Sequence, residues 1–254
     1  MLKKIMSLFA LVLLAGFNAG AVEDNLNVWP MPATLPTAPP AGVARTVFPM
    51  PRVEWLGRVQ IAIADSAKQG AAVQLVFDGD SITDGWHGNG RKVWEDHYAR
   101  YGAYNFGIGG DRTETILWRL AQGQAAGLQP KLVAIMIGTN NLGGNSDEDI
   151  AAGVTAVVNK YREVTPGAVI LVQGIFPRSA LATDPVRARI KNINTLLAKL
   201  DDGQRVIFID FGDKFLQPDG NLSKDIMPDF LHLSPAGYQI WADAIRPVIE
   251  KYLE

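Results

Sequence analysis

The chain has 254 residues, 48% of them hydrophobic, which is enough to bury a large core in a single α/β domain. Its formal net charge of -2 comes from interspersed charges, with no basic block to neutralise a run of phosphates, so nucleic acid is not an expected partner. It has no cysteine, which excludes disulfides, thiolate nucleophiles and Cys-ligated metals.

At the N-terminus Lys3 and Lys4 precede the apolar run 5–15, and Ala19-Gly20-Ala21 offers small residues for cleavage. This pattern predicts a secretory signal over 1–21, cut after about Ala21. The run is shorter than the ~20 residues needed to span a bilayer. Phe17 stands where a lipoprotein would carry cysteine, so the expected product is exported, periplasmic or secreted, with no stable membrane anchor. Residues 22–51 hold Pro30, Pro32, Pro36, Pro39, Pro40, Pro49 and Pro51, which remove backbone donors and favour extended chain. They are expected to form an arm lying on a domain that spans 52–254.

Val53, Leu56, Val59, Ile63 and Ala67 recur at helical spacing, and Gly70 closes that helix. Short β-branched runs then alternate with longer segments of helical period. Strands are predicted over 73–77, 103–106, 132–137, 169–173 and 206–210, and helices over 92–101, 113–122, 147–164, 187–200 and 235–253. The last helix places Tyr238, Trp241, Ile245, Val248 and Tyr252 on one face. Continuous apolar strands in βαβα order predict a three-layer α/β/α sandwich around a doubly wound, mainly five-stranded parallel sheet. In such sheets ligands sit at the carboxyl ends of the strands. Ser81, the 107–111 turn, residues 139–141 and residues 174–177 all follow strand ends there.

A serine needs a base to take its proton, most often a histidine held by a third group. His87, His97 and His232 are available. His97 falls inside a predicted helix among charged residues, and His87 fits a loop at the pocket rim. His232 lies just ahead of Ser234 and Pro235, which read as an N-cap and a first helical residue, with Asp229 three residues back. A loop over that spacing lets Asp229 accept from Nδ1 while Nε2 faces Ser81. Donors for an oxyanion are at hand in the Ser81 N–H, the Gly110 N–H and the Asn140 amide. Each of these features has an ordinary structural explanation when taken separately.

Taken in order, Gly79-Asp80-Ser81-Ile82, the block from Asn105 to Asp111, Gly138-Thr139-Asn140-Asn141 and Asp229-Phe230-Leu231-His232 resemble the motifs of the SGNH hydrolases, the GDSL esterase/lipase family. The resemblance runs from about Val53 to the C-terminus. Within the family the chain is similar to the catalytic subunits of platelet-activating factor acetylhydrolase Ib and to bacterial carbohydrate acetyl esterases. It implies a flavodoxin-like fold, Ser81 as nucleophile, Asp229 and His232 completing a triad, and Ser81, Gly110 and Asn140 as the oxyanion hole. The third motif departs from the wider family, where Asp usually follows Asn; Asn141 stands there and marks the acetylhydrolase branch.

Asn141, Ile175, Phe176 and Leu231 are expected to contact substrate, with Ile175, Phe176 and Leu231 walling a small acyl pocket. Residues 219–225 alternate oxygen-bearing side chains like a calcium loop, but Lys224 replaces the required glycine. The 107–110 glycines fail dinucleotide spacing because Arg112 takes the third glycine position. No metal and no cofactor are expected. The expected activity is hydrolysis of short-chain, acetyl esters of carbohydrates or other small molecules through an acyl-enzyme. An acyltransferase with the same triad and an inactive carbohydrate-binding module are the alternatives, and a homodimer stays open.

Overall fold

Why Asp78 can stand inside a strand decides how the sheet delivers Ser81. In the computed structural model, which describes residues 32–254, β1 runs Leu75–Gly79 with every residue buried, Asp78 included. Its carboxylate Oδ1 accepts from Arg119 Nη2 at 2.8 Å and from Gly79 N at 2.8 Å, while Oδ2 accepts from the Tyr161 hydroxyl at 2.6 Å. Arg119 Nε also donates to Asp111 Oδ2 at 2.9 Å, and Nη1 donates to Gln124 Oε1 at 2.6 Å. A buried charge with this many partners satisfies the requirement that desolvated ions be paired and hydrogen-bonded. The expected strand at 73–77 stops short of this residue; the observed one continues two residues further because Arg119 neutralises the aspartate.

The remaining strands are β2 (Tyr104–Asn105), β3 (Leu132–Met136), β4 (Val169–Gln173) and β5 (Val206–Ile209). All pair in parallel in the order β2-β1-β3-β4-β5. This is the doubly wound, five-stranded sheet expected from the sequence. The order reverses between β1 and β3, and a crevice opens at their carboxyl ends.

Helices α1 (Leu56–Gln69), α4 (Thr113–Ala121), α5 (Asp147–Val164) and α6 (Pro185–Leu197) cover one face. There Val76, Val133, Ile135, Ile170 and Val172 pack against Ile116, Val154, Val157 and Ile193. The short α2 (Ser81–Asp84), α3 (Arg91–His97) and α7 (Pro235–Leu253) cover the other. Leu75, Phe77, Ala134, Met136 and Leu171 point that way, towards Val93, Tyr238, Trp241 and Ile245. The period of two along each strand divides these sets.

The face of α7 differs in detail from expectation: after Ile245 its stripe steps by four to Ile249 and Leu253, and Val248 and Tyr252 are only partly buried. Phe77 anchors this layer, its ring centroid 5.2 Å from Trp94, 4.9 Å from Tyr98, 5.9 Å from Trp86 and 6.2 Å from Trp241. Each such aromatic pair adds about 0.5–1.5 kcal/mol beyond area burial.

Residues 34–254 form one compact unit. Within it the proline-rich stretch lies on α4 and α5: Thr46 and Met50 are buried, Thr46 O accepts from the Thr113 hydroxyl at 2.8 Å, and Met50 N donates to Glu114 O at 3.0 Å. The expected signal at 1–21 and the start of the arm, through residue 31, lie outside the described residues.

Replacing Arg119 by Leu would leave Asp78 and Asp111 buried without a counter-charge. Equilibrium denaturation should show a loss of about 3–5 kcal/mol, and an Arg119→Leu protein as stable as the parent would rule out the ion network as a support of the fold.

Candidate active site

β1 ends on Gly79, where a Cβ would sit 2.3 Å from Met136 O and 2.2 Å from Thr83 Oγ1; only glycine lets β1, β3 and α2 meet so closely. Asp80 then caps α2. Its Oδ1 accepts from Ile82 N at 3.0 Å, and its carbonyl accepts from Asp84 N at 2.8 Å. Ser81 is thereby the first helical residue, and its Oγ lies 2.8 Å from His232 Nε2.

The histidine is held by its own loop. Asp229 Oδ2 is 2.6 Å from His232 Nδ1, and Oδ1 accepts from His232 N at 2.7 Å and Leu231 N at 3.1 Å. Phe230 adopts φ +59°, a left-handed conformation uncommon outside glycine, and this reversal folds the carboxylate back over three residues. Ser179 N donates to Phe230 O at 3.0 Å, and the Asn89 amide donates to Leu233 O at 3.1 Å. Ser234 caps α7 through Gly237 N, and Pro235 is its first residue, as the sequence predicts. With Nδ1–H donating to Asp229, Nε2 carries the lone pair that accepts from Ser81. Partial burial pushes the Asp229 carboxyl up, but its bonds from the His232 ring and backbone outweigh this and hold it below the usual carboxylate range.

Opposite the histidine, the 107–111 loop makes a tight turn in which Asp111 N donates to Ile108 O at 3.1 Å and Gly110 takes φ +78°. A Cβ on Gly109 would sit 3.9 Å from Ser81 Cβ, which puts the turn beside the serine. Asn140, in the turn Thr139–Asn141 after β3, donates one amide hydrogen to Asp111 O at 2.9 Å. Among the described residues the Ser81 and Gly110 N–H groups have no acceptor, and the other Asn140 amide hydrogen is uncommitted. The loops after β1, β2 and β3 thus bring Ser81, Gly110 and Asn140 to one edge of the sheet, and the Asp229–His232 loop meets them there.

Three of the expected substrate contacts are placed differently. Asn141 is fully buried, donating to Glu114 Oε2 at 2.9 Å and accepting from Thr113 N at 3.2 Å, so both ends of its amide are engaged inside the protein. Ile175 is core on the α5–α6 face. Phe176 packs 5.2 Å from Phe211, 4.8 Å from Phe215 and 4.9 Å from Trp241. Ile175 and Phe176 are thus spent in the two core layers on opposite faces of the sheet, and of the three expected wall residues only Leu231, half-buried beside His232, keeps surface. His87 sits exposed on the turn Gly85–His87, and His97 points to Gln239 on α7, its Nε2 3.4 Å from the amide.

Asp80 is a feature the sequence reading passed over. It is completely buried, and among the described residues its Oδ2 has no partner. Burial first, and the nearby Asp111 charge, push its carboxyl up to about 7 against the lowering effect of the Ile82 N–H, His232 and Arg178. Arg52 and Arg58, which grip the 107–111 loop at Gly109 O and Gly107 O, were equally invisible.

Serine, histidine and carboxylate in hydrogen-bonded line at the edge of a parallel sheet are the groups of an acyl-transfer hydrolase, and the relatives place the chain among the carboxylic ester hydrolases. More narrowly, the chain belongs to the GDSL-like Lipase/Acylhydrolase family, which residues 77–240 match. The platelet-activating factor acetylhydrolase IB subunit alpha1 of Bos taurus is 34% identical over 200 residues, covering 78% of this chain and 84% of the relative. A GDSL-like lipase structure from Bacteroides thetaiotaomicron superposes with TM-score 0.62 at 19% identity over 76% of this chain and 97% of its own. The acetylxylan esterase of Geobacillus stearothermophilus does so with TM-score 0.54 at 22% identity, over 70% and 94%. These two likenesses establish a shared fold. The family resemblance and the ester hydrolase class read from the sequence are borne out.

The raised Asp80 carboxyl makes stability depend on pH. In the unfolded chain it ionises near pH 4, whereas the folded protein keeps the proton to about pH 7. The folded state therefore binds more protons between these values, and stability falls as pH rises through that window. Asp80→Asn removes the dependence, so its melting temperature should gain on the parent steadily from about pH 4 to pH 7. A difference that stays flat across the range would show that the buried carboxyl is not protonated.

Proposed function

We propose that the protein is an exported serine esterase that removes short acyl groups, acetyl foremost, from carbohydrate esters. The observation that carries the reading is the line from Ser81 Oγ to His232 Nε2 at 2.8 Å and from Nδ1 to Asp229 Oδ2 at 2.6 Å. His232 takes the Ser81 proton as Oγ attacks the ester carbonyl. The oxyanion that forms accepts from the Ser81 and Gly110 N–H groups and the Asn140 amide, each such donor contributing about 3 kcal/mol to the transition state. On collapse the C–O bond to the alcohol breaks and His232 returns the proton to the departing oxygen. Water then gives a proton to His232 as it attacks the acyl-enzyme carbonyl, the acyl C–Oγ bond breaks, and His232 returns the proton to Ser81 Oγ as the acid leaves.

The acetyl preference draws on the names of the relatives, an acetylhydrolase subunit and an acetylxylan esterase. Leu231 beside His232 offers an apolar contact for a short acyl chain. Export draws on Lys3, Lys4 and the apolar run that follows them.

Purified protein should hydrolyse p-nitrophenyl acetate faster than the butyrate and octanoate esters, and should release acetate from acetylated xylan or a related acetylated sugar. Ser81→Ala should lower kcat by about four orders of magnitude or more, with loss of labelling by a fluorophosphonate. Persistence of activity in Ser81→Ala would refute the nucleophile, and an octanoate preference would refute the acetyl reading.

A further inference from the structure

Arg52 reaches the turn after β2 from the end of the proline-rich arm. Its Nη1 donates to Gly109 O at 2.7 Å, and a Cβ on Gly110 would sit 2.3 Å from that same nitrogen, so the guanidinium lies directly against the Gly110 Cα. The other side of the guanidinium is held by Glu54 Oε1, 3.1 Å from Nε and 2.8 Å from Nη2. Arg58 completes the grip: it donates to Gly107 O at 3.1 Å and to both oxygens of Asp84 at 2.9 Å, and Asp84 Oδ2 accepts from Gly109 N at 3.3 Å. Trp55 lies between the two arginines, its ring 6.0 Å from Arg52 Cζ and 5.7 Å from Arg58 Cζ.

Gly109 O and Gly110 N–H belong to one peptide unit. That unit is trans, so its carbonyl and its N–H point in opposite directions, and whatever fixes the first aims the second. The turn is closed by Asp111 N on Ile108 O with φ +78° at Gly110, the form in which the third residue takes positive φ. Rotation of the central peptide by half a turn converts this form into the commoner one. Glycine at both central positions leaves no Cβ to oppose the flip. Hydrogen bonding of Gly109 O to a cationic donor holds the peptide in one orientation and strengthens its N–H as a donor.

We propose that Arg52 is a positioning residue for ester hydrolysis: it locks the Gly109–Gly110 peptide so that the Gly110 N–H stays aimed at the oxyanion. This rests on the reading of Gly110 and Asn140 as oxyanion donors. Arg52 touches no reacting atom, and it precedes the family match at residues 77–240.

The test compares Arg52→Ala, Arg52→Met, Arg52→Lys and Asn140→Ala on p-nitrophenyl acetate, with the affinity of a short alkyl boronic acid, which forms a tetrahedral adduct on the serine. Arg52→Ala and Arg52→Met should lower kcat about 10–100-fold with KM within about twofold, and should weaken the boronate by a similar factor. Arg52→Lys, which keeps a cationic donor, should recover most of the loss. Asn140→Ala should lose about 100-fold. If Arg52→Met keeps the parent kcat and boronate affinity while Asn140→Ala loses both, the lock is refuted and the oxyanion reading stands. If Asn140→Ala matches the parent, the oxyanion reading fails and the proposal goes with it. Should alanine cost the fold, the Met variant, which keeps the stem without the donor, decides alone.

Discussion

One guanidinium under the sheet edge that carries Ser81 holds segments that are distant in sequence. Arg119, 2% exposed, pairs with Asp78 of β1 and with Asp111 of the loop after β2, and Tyr161 of α5 closes the set. Burying these charges is costly unless all of them are matched, so the three segments must assemble together or not at all. Each carboxylate residue passes the constraint upward. Asp78 accepts from Gly79 N, two residues before the serine, and the carbonyl of Asp111 takes the Asn140 amide. The turn bearing Ser81 and the side chain of Asn140 are therefore referenced to the same charge.

Above that platform, position follows from topology. The sheet order reverses between β1 and β3, and the segments leaving these two strands carry Ser81 and Asn140 to the resulting crevice. The Asp229–His232 loop reaches the same edge from the α7 side, fixed by the cap of α7 and by bonds to Ser179 and Asn89. Ser81 at the end of β1 and His232 ahead of α7 meet at 2.8 Å, and the Phe77–Trp241 contact packs α7 against β1 beneath them.

How much of this was legible in the sequence depended on whether a residue's role was local. The parallel sheet, the cap at Ser234 and the Asp229–His232 spacing are local patterns of period, turn chemistry and reach, and they survive intact. Asp78 misled the strand assignment because its partner lies 41 residues away, and no window around it reveals Arg119. Asn141, Ile175 and Phe176 looked like pocket residues from their places after strand ends, yet a strand end says where the chain is and not which way it turns next. Arg52 belongs to the same class: its contact with Gly109 spans 57 residues, and a lone arginine after a proline carries no signal of it.

The aromatic layer also makes this protein observable. Trp86 lies 5.9 Å from Trp94 and 5.0 Å from Trp241, and the Tyr238 hydroxyl that packs among them donates at 2.6 Å to Ile82 O, the residue after the serine. Indole rings this close and this fixed couple their electronic transitions, so the layer beneath Ser81 contributes to the near-ultraviolet dichroism of the folded protein. Rearrangement there changes an optical spectrum before any substrate is added, and the site carries its own chromophore.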